Sequence, residues 1–195
     1  MGQGKQAKVI TRPQERAVLD YLRHTRNPER DRVTFLLSLK AGLRAKEIAA
    51  LTWGMVTDDA GRIGACIALP DNASKSKSGR TVYLHPDLKQ ALEMLHRCSP
   101  NTRNDWPVIY STRNQGFSAA TIKDWFTRLY RTLGMDGCSS HSGRRTFITR
   151  AAKEVSVVGG SIRDVQQLAG HASLAMTQTY IEGDTEAKRK LVTRV

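Results

Sequence analysis

The sequence contains few cysteines, and their spacing excludes two kinds of stabilising site. Three occur among 195 residues, at Cys66, Cys98 and Cys138, and no two of them stand in a CxxC arrangement. An odd, widely spaced set argues against a disulfide framework and against a structural metal site. It is typical of a protein that works in a reducing compartment.

Long apolar runs are also missing. No apolar stretch approaches the roughly 20 residues that a membrane-spanning helix needs. Residues 1–13 lack the apolar core of a secretory signal peptide. We therefore expect no membrane partner and a cytoplasmic location.

Acidic residues are scarce beside basic ones. Eighteen Asp and Glu face 31 Lys and Arg, which gives a net charge of +13, and the isoelectric point is near 10.1. Such a balance favours a polyanionic partner. Aromatic residues make up only 6% of the chain, which disfavours a stacking platform for single strands and favours phosphate contacts on a duplex. No acidic cluster is present to hold Mg²⁺, so we expect neither a metal nor another cofactor.

Hydrophobic periodicity predicts a mostly α-helical chain with a small antiparallel β-sheet, an α+β fold. The helices are expected at residues 11–25, 28–41, 43–51, 86–95, 118–133, 142–154, 161–169 and 173–180. The strands are expected to start at Val56 and to cover 63–69 and 80–84, with a turn at 58–61 between the first two. A polar loop between them, residues 71–79, carries Lys75 and Lys77.

Four short motifs contain the groups that phosphodiester chemistry needs. They are Gly42-Leu43-Arg44 with Glu47 one turn later, His141-x-x-Arg144, Leu168-x-Gly170-His171, and Tyr180 nine residues after His171. Guanidinium groups match the charge that develops on the non-bridging phosphate oxygens, and two fixed arginines do this without a metal. A tyrosine is a candidate nucleophile if neighbouring cations and a histidine help its proton to leave. Each motif alone is common, and the order and spacing of all four make the pattern specific.

In this order the motifs resemble the catalytic domain of the tyrosine recombinase (phage integrase) family over about residues 10–185. The resemblance implies the tyrosine recombinase catalytic-domain fold and catalytic roles for Arg44, Lys75, His141, Arg144, His171 and Tyr180. It implies a supporting role for Glu47 and DNA contacts for Lys77, Arg80 and Arg145. In the family the lysine lies eight positions before a residue of the following strand. Counting back from Tyr83 gives Lys75 as the general acid, and Lys77 is the alternative.

Three segments are expected along the chain. Residues 1–10 are predicted to form a basic flexible arm, 11–183 the catalytic domain, and 184–195 a basic tail that docks on a neighbouring subunit or stays solvated. Family members usually carry a helical core-binding domain before the catalytic one. Only 43 residues precede Arg44 here, so the chain resembles the short recombinases that lack that domain.

The resemblance implies a site-specific DNA recombinase or integrase that cuts and rejoins duplex DNA through a 3′-phosphotyrosyl intermediate. The outcome would be integration, excision or inversion of a DNA segment. The implied partners are double-stranded DNA at a specific site and accessory DNA-bending proteins. The protein is expected to form a homo-tetramer on DNA and to be a monomer or a weak oligomer when free. The implied location is the bacterial nucleoid or a phage-infected host cell. Two alternatives use the same residues: a type IB topoisomerase-like nicking-closing enzyme, and a catalytically idle DNA-binding regulator.

Overall fold

The computed structural model describes residues 7–70, 79–113 and 115–180. Within these ranges the helices are α1 (Arg12–Leu22), α2 (Pro28–Lys40), α3 (Ala45–Ala50), α4 (Pro86–Cys98), α5 (Ala119–Thr132), α6 (Ser142–Glu154), α7 (Ile162–Ala169) and α8 (Leu174–Gln178). A 3₁₀ turn covers Trp53–Met55, and two strands, β1 (Cys66–Leu69) and β2 (Arg80–Tyr83), form an antiparallel sheet. The predicted mostly α fold with a small antiparallel sheet is confirmed.

Local capping explains where several helices begin. Thr11 and Gln14 form a capping box at α1, with the Thr11 backbone N–H donating to Gln14 Oε1 over 3.0 Å. The Ser118 hydroxyl accepts from the Thr121 N–H at the start of α5 over 3.1 Å. Each cap satisfies a backbone donor that the helix itself leaves without a partner.

The sheet is shorter than its apolar pattern predicts. Cys66 pairs with Tyr83 and Leu69 with Arg80, whereas Ile63 makes only an isolated bridge with Thr57. The Gly64 N–H donates to the Val56 carbonyl over 2.9 Å. The turn predicted at 58–61 thus brings this backbone back to the segment that starts at Val56. Residues 56–65 form no strand, however, so the predicted strand starts at Val56 and at residue 63 are wrong.

Helix α2 lies at the centre of the core. Its apolar side chains are buried on all sides, as their density in the sequence predicts; these are Val33, Phe35, Leu36, Leu37 and Leu39. The first turn of α6 packs directly against it, since a Cβ added at Gly143 would collide with Ser38. This close approach fixes the start of α6 relative to the segment that follows α2.

The chain before α1 is attached to the folded domain. The Ile10 N–H donates to Thr146 Oγ1 over 2.7 Å, and Arg150 Nη2 donates to the Ile10 carbonyl over 3.0 Å. The Lys8 N–H donates to the Gly137 carbonyl over 3.1 Å. Residues 7–10 therefore do not form the loose arm that we expected, while residues 1–6 of that arm and the tail at 184–195 lie outside the described residues.

In the part of the chain that the structure describes, no helix is both long enough and apolar enough to cross a membrane.

Candidate active site

A left-handed glycine turn between α2 and α3 places the first arginine. Gly42 has a φ of +64°, a conformation that strongly favours glycine. A Cβ at this position would also lie only 2.5 Å from the Phe147 ring. The Leu43 N–H then donates to the Leu37 carbonyl over 3.0 Å, so Arg44 starts α3 in a fixed position against the core.

Glu47 holds Arg44 by both its backbone and its side chain. The Arg44 N–H donates to Glu47 Oε2 over 2.7 Å, and Arg44 Nη1 donates to Oε1 over 3.0 Å. The Glu47 side chain is 1% exposed, whereas that of Arg44 keeps 23% of its surface exposed. Burial raises the pKa of Glu47, but hydrogen bonds and charges from Arg80 and Arg44 outweigh it and leave the pKa below its usual value. An ionised Glu47 thus orients a guanidinium that remains accessible.

Arg144 lies at the junction of three segments. Its side chain is buried; Nη1 donates to the Gly42 carbonyl over 2.6 Å, and Nη2 donates to the Ala169 carbonyl over 2.5 Å. Burial, followed by the charge of Arg44, lowers the pKa of Arg144 to about 10. The group stays protonated at neutral pH in a setting that disfavours its charge. An anion placed between the two arginines would relieve this penalty.

The C-terminal end of α7 places His171. Gly170 closes the helix with a φ of +59°, and His171 follows it with 7% of its surface exposed. Its Nδ1 lies 2.9 Å from Thr177 Oγ1, so Nε2 is the ring nitrogen left for a substrate. Burial, followed by the charge of Arg144, lowers the pKa of His171 to about 4. The imidazole is therefore neutral near pH 7.

Tyr180 lies beside His171, just after α8. The two rings are stacked, with centroids 5.4 Å apart and planes 25° apart. The Tyr180 N–H donates to the Thr177 carbonyl over 3.0 Å, and Thr149 Oγ1 donates to the Tyr180 carbonyl over 3.5 Å. The tyrosine is thus attached to α8 and α6 at once.

His141 precedes α6 at the surface. Partial burial, followed by the charges of Arg144, Lys123 and Arg44, lowers its pKa. The lowered pKa favours a neutral imidazole, which can accept a proton, at neutral pH.

A small cavity of about 140 Å³ brings together His141, Arg144 and Tyr180, while Arg44 and His171 lie outside its lining. It is lined by Ala7, His141, Arg144, Arg145, Thr179 and Tyr180. A larger open cleft of about 660 Å³ lies elsewhere, between residues 58–65 and α4. That cleft carries acidic as well as basic side chains, so the smaller, arginine-lined cavity is the better anion site.

Of the basic residues predicted in and after the loop between β1 and β2, the structure describes only Arg80. Lys75 and Lys77 lie outside the described residues, so the choice between them stays a prediction. Arg80 is described and is nearly buried, with its guanidinium donating to Glu47 Oε1 and Oε2 over 2.8 and 3.0 Å. This burial differs from the direct DNA contact that we expected of Arg80. Arg145 does line the cavity.

Two contributors to the site have no motif in the sequence. Thr177 contacts the inner nitrogen of His171, and Ala7 forms part of the cavity wall. No spacing or motif in the sequence predicts that a threonine six residues after His171 contacts its ring. Within residues 7–70, 79–113 and 115–180, no three His, Cys, Asp or Glu side chains are grouped so that they could hold a metal ion.

A model of the phage integrase family matches residues 8–187 of the chain. The chain belongs to the phage integrase family. The match covers all the motifs from Arg44 to Tyr180, as the resemblance predicted.

Two tyrosine recombinases show how much of its sequence the chain shares with known proteins. Tyrosine recombinase XerA of Thermococcus kodakarensis is 28% identical over 189 residues, covering 94% of this chain and 61% of that protein. Tyrosine recombinase XerC of Brucella suis is 28% identical over 159 residues, covering 80% of this chain and 47% of that protein. The chain therefore spans between about half and three fifths of the length of these relatives.

Solved structures share the fold. The Tn1549 transposon integrase in complex with a circular intermediate DNA superposes with a TM-score of 0.76 at 18% identity, covering 99% of this chain and 67% of that one. The crystal structure of XerA recombinase gives a TM-score of 0.68 at 26% identity, covering 97% and 66%. The described helices and sheet thus form a phage integrase catalytic-domain fold.

Proposed function

We propose that this chain carries the catalytic centre of a site-specific DNA recombinase that cuts and rejoins duplex DNA through a 3′-phosphotyrosyl intermediate. The observation that carries the proposal is the meeting of Arg144, His141 and Tyr180 around one cavity, with Arg44 and His171 beside it. These groups come from four separate parts of the chain. Their convergence supplies a phosphate site, a nucleophile and proton acceptors together.

The reaction follows from the charges of this site. Arg44 and Arg144 bind the non-bridging oxygens of the scissile phosphate and stabilise the charge that builds up in the transition state. The Tyr180 oxygen bonds to phosphorus while the bond to the 5′-oxygen breaks. A neutral histidine, His141 or His171, accepts the tyrosine proton. The resemblance assigns the proton for the departing 5′-oxygen to Lys75, with Lys77 as the alternative.

The products keep the bond energy of the cut strand. The phosphotyrosyl ester that replaces the phosphodiester is attacked by a 5′-hydroxyl in the second half of the reaction, which restores the phosphodiester and frees Tyr180. Rejoining therefore needs no ATP. If the attacking hydroxyl belongs to another duplex, the result is strand exchange, which is the step behind integration, excision or inversion.

The partner that the site favours is duplex DNA. The net charge of +13 supports binding along a phosphate backbone. Structures of XerH bound to its difH substrate and of a lambda integrase dimer bound to a core site share the fold. We propose duplex DNA with a specific site as the substrate, and a tetramer on DNA with accessory DNA-bending proteins as the working assembly.

The experiment that tests the proposal is covalent trapping. A duplex nicked shortly to the 3′ side of the scissile phosphate releases the short fragment that carries the new 5′-hydroxyl, so the phosphotyrosyl complex cannot be rejoined and accumulates on a denaturing gel. Duplexes from the flanks of the encoding gene supply candidate sites. Tyr180→Phe should abolish the covalent complex while retaining noncovalent binding, and Tyr21→Phe, on α1, should retain both. Covalent trapping by Tyr180→Phe would reject Tyr180 as the nucleophile.

Covalent trapping together with assays of plasmid relaxation and strand exchange separates the two alternatives. A type IB topoisomerase-like enzyme would relax supercoiled plasmid of any sequence and show no strand exchange between two sites. An idle regulator would bind DNA and form no covalent complex with any nicked duplex. Membership of the phage integrase family favours the recombinase over both.

A further inference from the structure

Arg80 forms a forked ion pair with a carboxylate far away in the sequence. Its Nη1 donates to Glu47 Oε1 over 2.8 Å and its Nη2 donates to Oε2 over 3.0 Å, across 33 positions of the chain. The Arg80 side chain is 7% exposed and that of Glu47 is 1% exposed. Two parallel hydrogen bonds of this kind fix the plane of the carboxylate as well as its distance.

The same carboxylate also holds Arg44. Each oxygen of Glu47 accepts one hydrogen bond from Arg80 and one from Arg44. Four donors from two arginines therefore share a single buried acceptor. Because Arg80 takes one hydrogen-bond position on each oxygen, the positions that remain are filled by the Arg44 backbone N–H and Nη1.

A second contact joins Arg80 to the segment that carries His171. A Cβ added at Gly170 would lie 2.7 Å from Arg80 Nη1, so the guanidinium packs directly on the glycine that ends α7. Gly170 already needs its left-handed φ of +59°. The charge of Arg80 is also one of those that lower the pKa of His171. Arg80 thus contacts two of the four segments that present groups to the phosphate, at α3 and at the end of α7.

We propose that Arg80 is a positioning residue for strand cleavage, and that it acts by fixing Glu47 and, through Glu47, the Arg44 guanidinium. The inference rests on the proposed recombinase function. It assigns to Arg80 an internal role in place of the DNA contact expected from the sequence. A lysine at this position would supply the charge but not the two parallel donors.

The test is a set of single-turnover cleavage measurements on a nicked duplex with protein at saturation. Arg80→Ala and Arg80→Lys should each lower the cleavage rate, by about 10- to 100-fold if Arg44 shifts by about 1 Å. The dissociation constant for the duplex should change less than threefold. Arg62→Ala, which removes an exposed arginine paired within its own turn, should leave both quantities unchanged. Circular dichroism and thermal unfolding show whether each variant is folded. If Arg80→Ala does not fold, Arg80→Lys still tests the proposal.

A double-mutant cycle separates action through Arg44 from an independent role. Arg44→Ala combined with Arg80→Ala should cleave no more slowly than Arg44→Ala alone, because Arg80 then has nothing left to position. Multiplied losses in the double variant would overturn the proposal. So would folded Arg80 variants that cleave at the wild-type rate, or variants whose defect lies in DNA affinity and disappears at saturation.

A modified substrate gives a readout that general loss of structure would not produce. Replacing one non-bridging oxygen of the scissile phosphate by methyl removes the negative charge that the arginines bind. The Arg80 variants should lose less activity on this methylphosphonate than on the phosphodiester, as Arg44→Ala should. Equal losses on both substrates would contradict a role through Arg44. A wild-type protein that forms no covalent complex on any duplex would instead refute the proposed function itself.

Discussion

Thr177 is the residue that sets the orientation of His171. Its Oγ1 lies 2.9 Å from His171 Nδ1, and both side chains are buried. Because this contact occupies the inner nitrogen, it favours the ring position that leaves Nε2 free to bond to a substrate.

We predict that Thr177→Val keeps the fold and lowers the cleavage rate by about tenfold, since valine has the same shape but no hydrogen-bonding oxygen. Thr177→Ser keeps the oxygen and should retain most of the rate. The measurement is covalent-complex formation on a nicked duplex, with thermal unfolding as a check on folding. Equal rates for the valine and serine variants would show that the hydroxyl does not position His171.

The buried His171 predicts a loss of stability in mild acid. Its pKa is about 4 in the folded protein, below an ordinary value of about 6.5. Between these values the unfolded chain binds a proton that the folded chain does not, so the free energy of unfolding falls as the pH drops from about 6.5 to about 4. Above pH 6.5 His171 is neutral in both states and this loss is absent; by pH 4 the loss of stability is at most about 3.5 kcal/mol, from a pKa difference of about 2.5 at about 1.4 kcal/mol per pKa unit.

Urea unfolding at several pH values measures this effect. His171→Gln removes the titrating group, so the variant should show a shallower fall in stability between pH 6.5 and 4 than the wild type. His24→Gln, at a surface position just after α1, should keep the wild-type slope. Wild-type and His171→Gln slopes that coincide would show that this histidine is not held neutral by the fold.

At the scale of elements, the turn from α2 into α3 determines where Arg44 and Arg144 meet. Gly42 contributes a left-handed backbone, a close approach to Phe147, and the carbonyl that accepts from Arg144. A side chain at this position would disturb all three. Gly61 has a similar φ of +73° but open space around its α-carbon, which makes it a matched control for backbone strain alone.

We predict that Gly61→Ala costs about 1 kcal/mol of stability, the ordinary penalty for alanine in the left-handed region, and leaves cleavage unchanged. Gly42→Ala should lower the free energy of unfolding by about 1–3 kcal/mol more than Gly61→Ala, because the added methyl must also displace the Phe147 ring. It should also lower the cleavage rate. Urea unfolding and covalent trapping measure the two effects. Similar losses of stability in both variants would show that the contact with Phe147 adds nothing beyond strain.

The helices and the catalytic motifs could be predicted because their signals are local. Capping boxes, apolar periodicity and glycine stops lie within a few residues of the elements that they define, so the centres of all eight predicted helices are confirmed in the described part of the chain. The segment before β1 could be predicted only in part. The turn at 58–61 does return Gly64 to Val56, but the apolar character of Val56 and Ile63 predicts strands where the structure forms only an isolated bridge.

Tertiary contacts set the remaining limit on prediction. Nothing near Arg80 in the sequence indicates that its partner is Glu47, and a basic residue after a lysine-rich loop resembles one that contacts DNA. The attachment of Ile10 to Thr146, 136 positions away, is equally invisible before the fold is known. Arginines and polar partners of this kind depend on which elements pack together, and local sequence does not encode that.

At the scale of the whole molecule, the excess of 13 positive charges determines the character of the proposed binding to DNA. In the proposed reaction the cavity around Tyr180 accepts one phosphate, which alone cannot supply the affinity for a duplex. Most of the binding free energy must then come from cations spread over the surface that release counterions from the backbone. Such binding is strong at low salt, weak at high salt and largely independent of sequence.

We predict that duplex binding weakens by about 10³-fold between 50 and 200 mM salt, as expected for a protein that neutralises about six phosphates. Fluorescence anisotropy with a labelled duplex gives the slope of log affinity against log salt. Tyr180→Phe should show the same slope, because the nucleophile is uncharged in the bound ground state. A single strand of equal length should bind with a shallower slope, since fewer counterions are condensed on it, and the scarcity of aromatic residues offers little stacking in return. A slope near zero for the duplex would mean that base contacts, rather than the charge of the molecule, hold it on DNA.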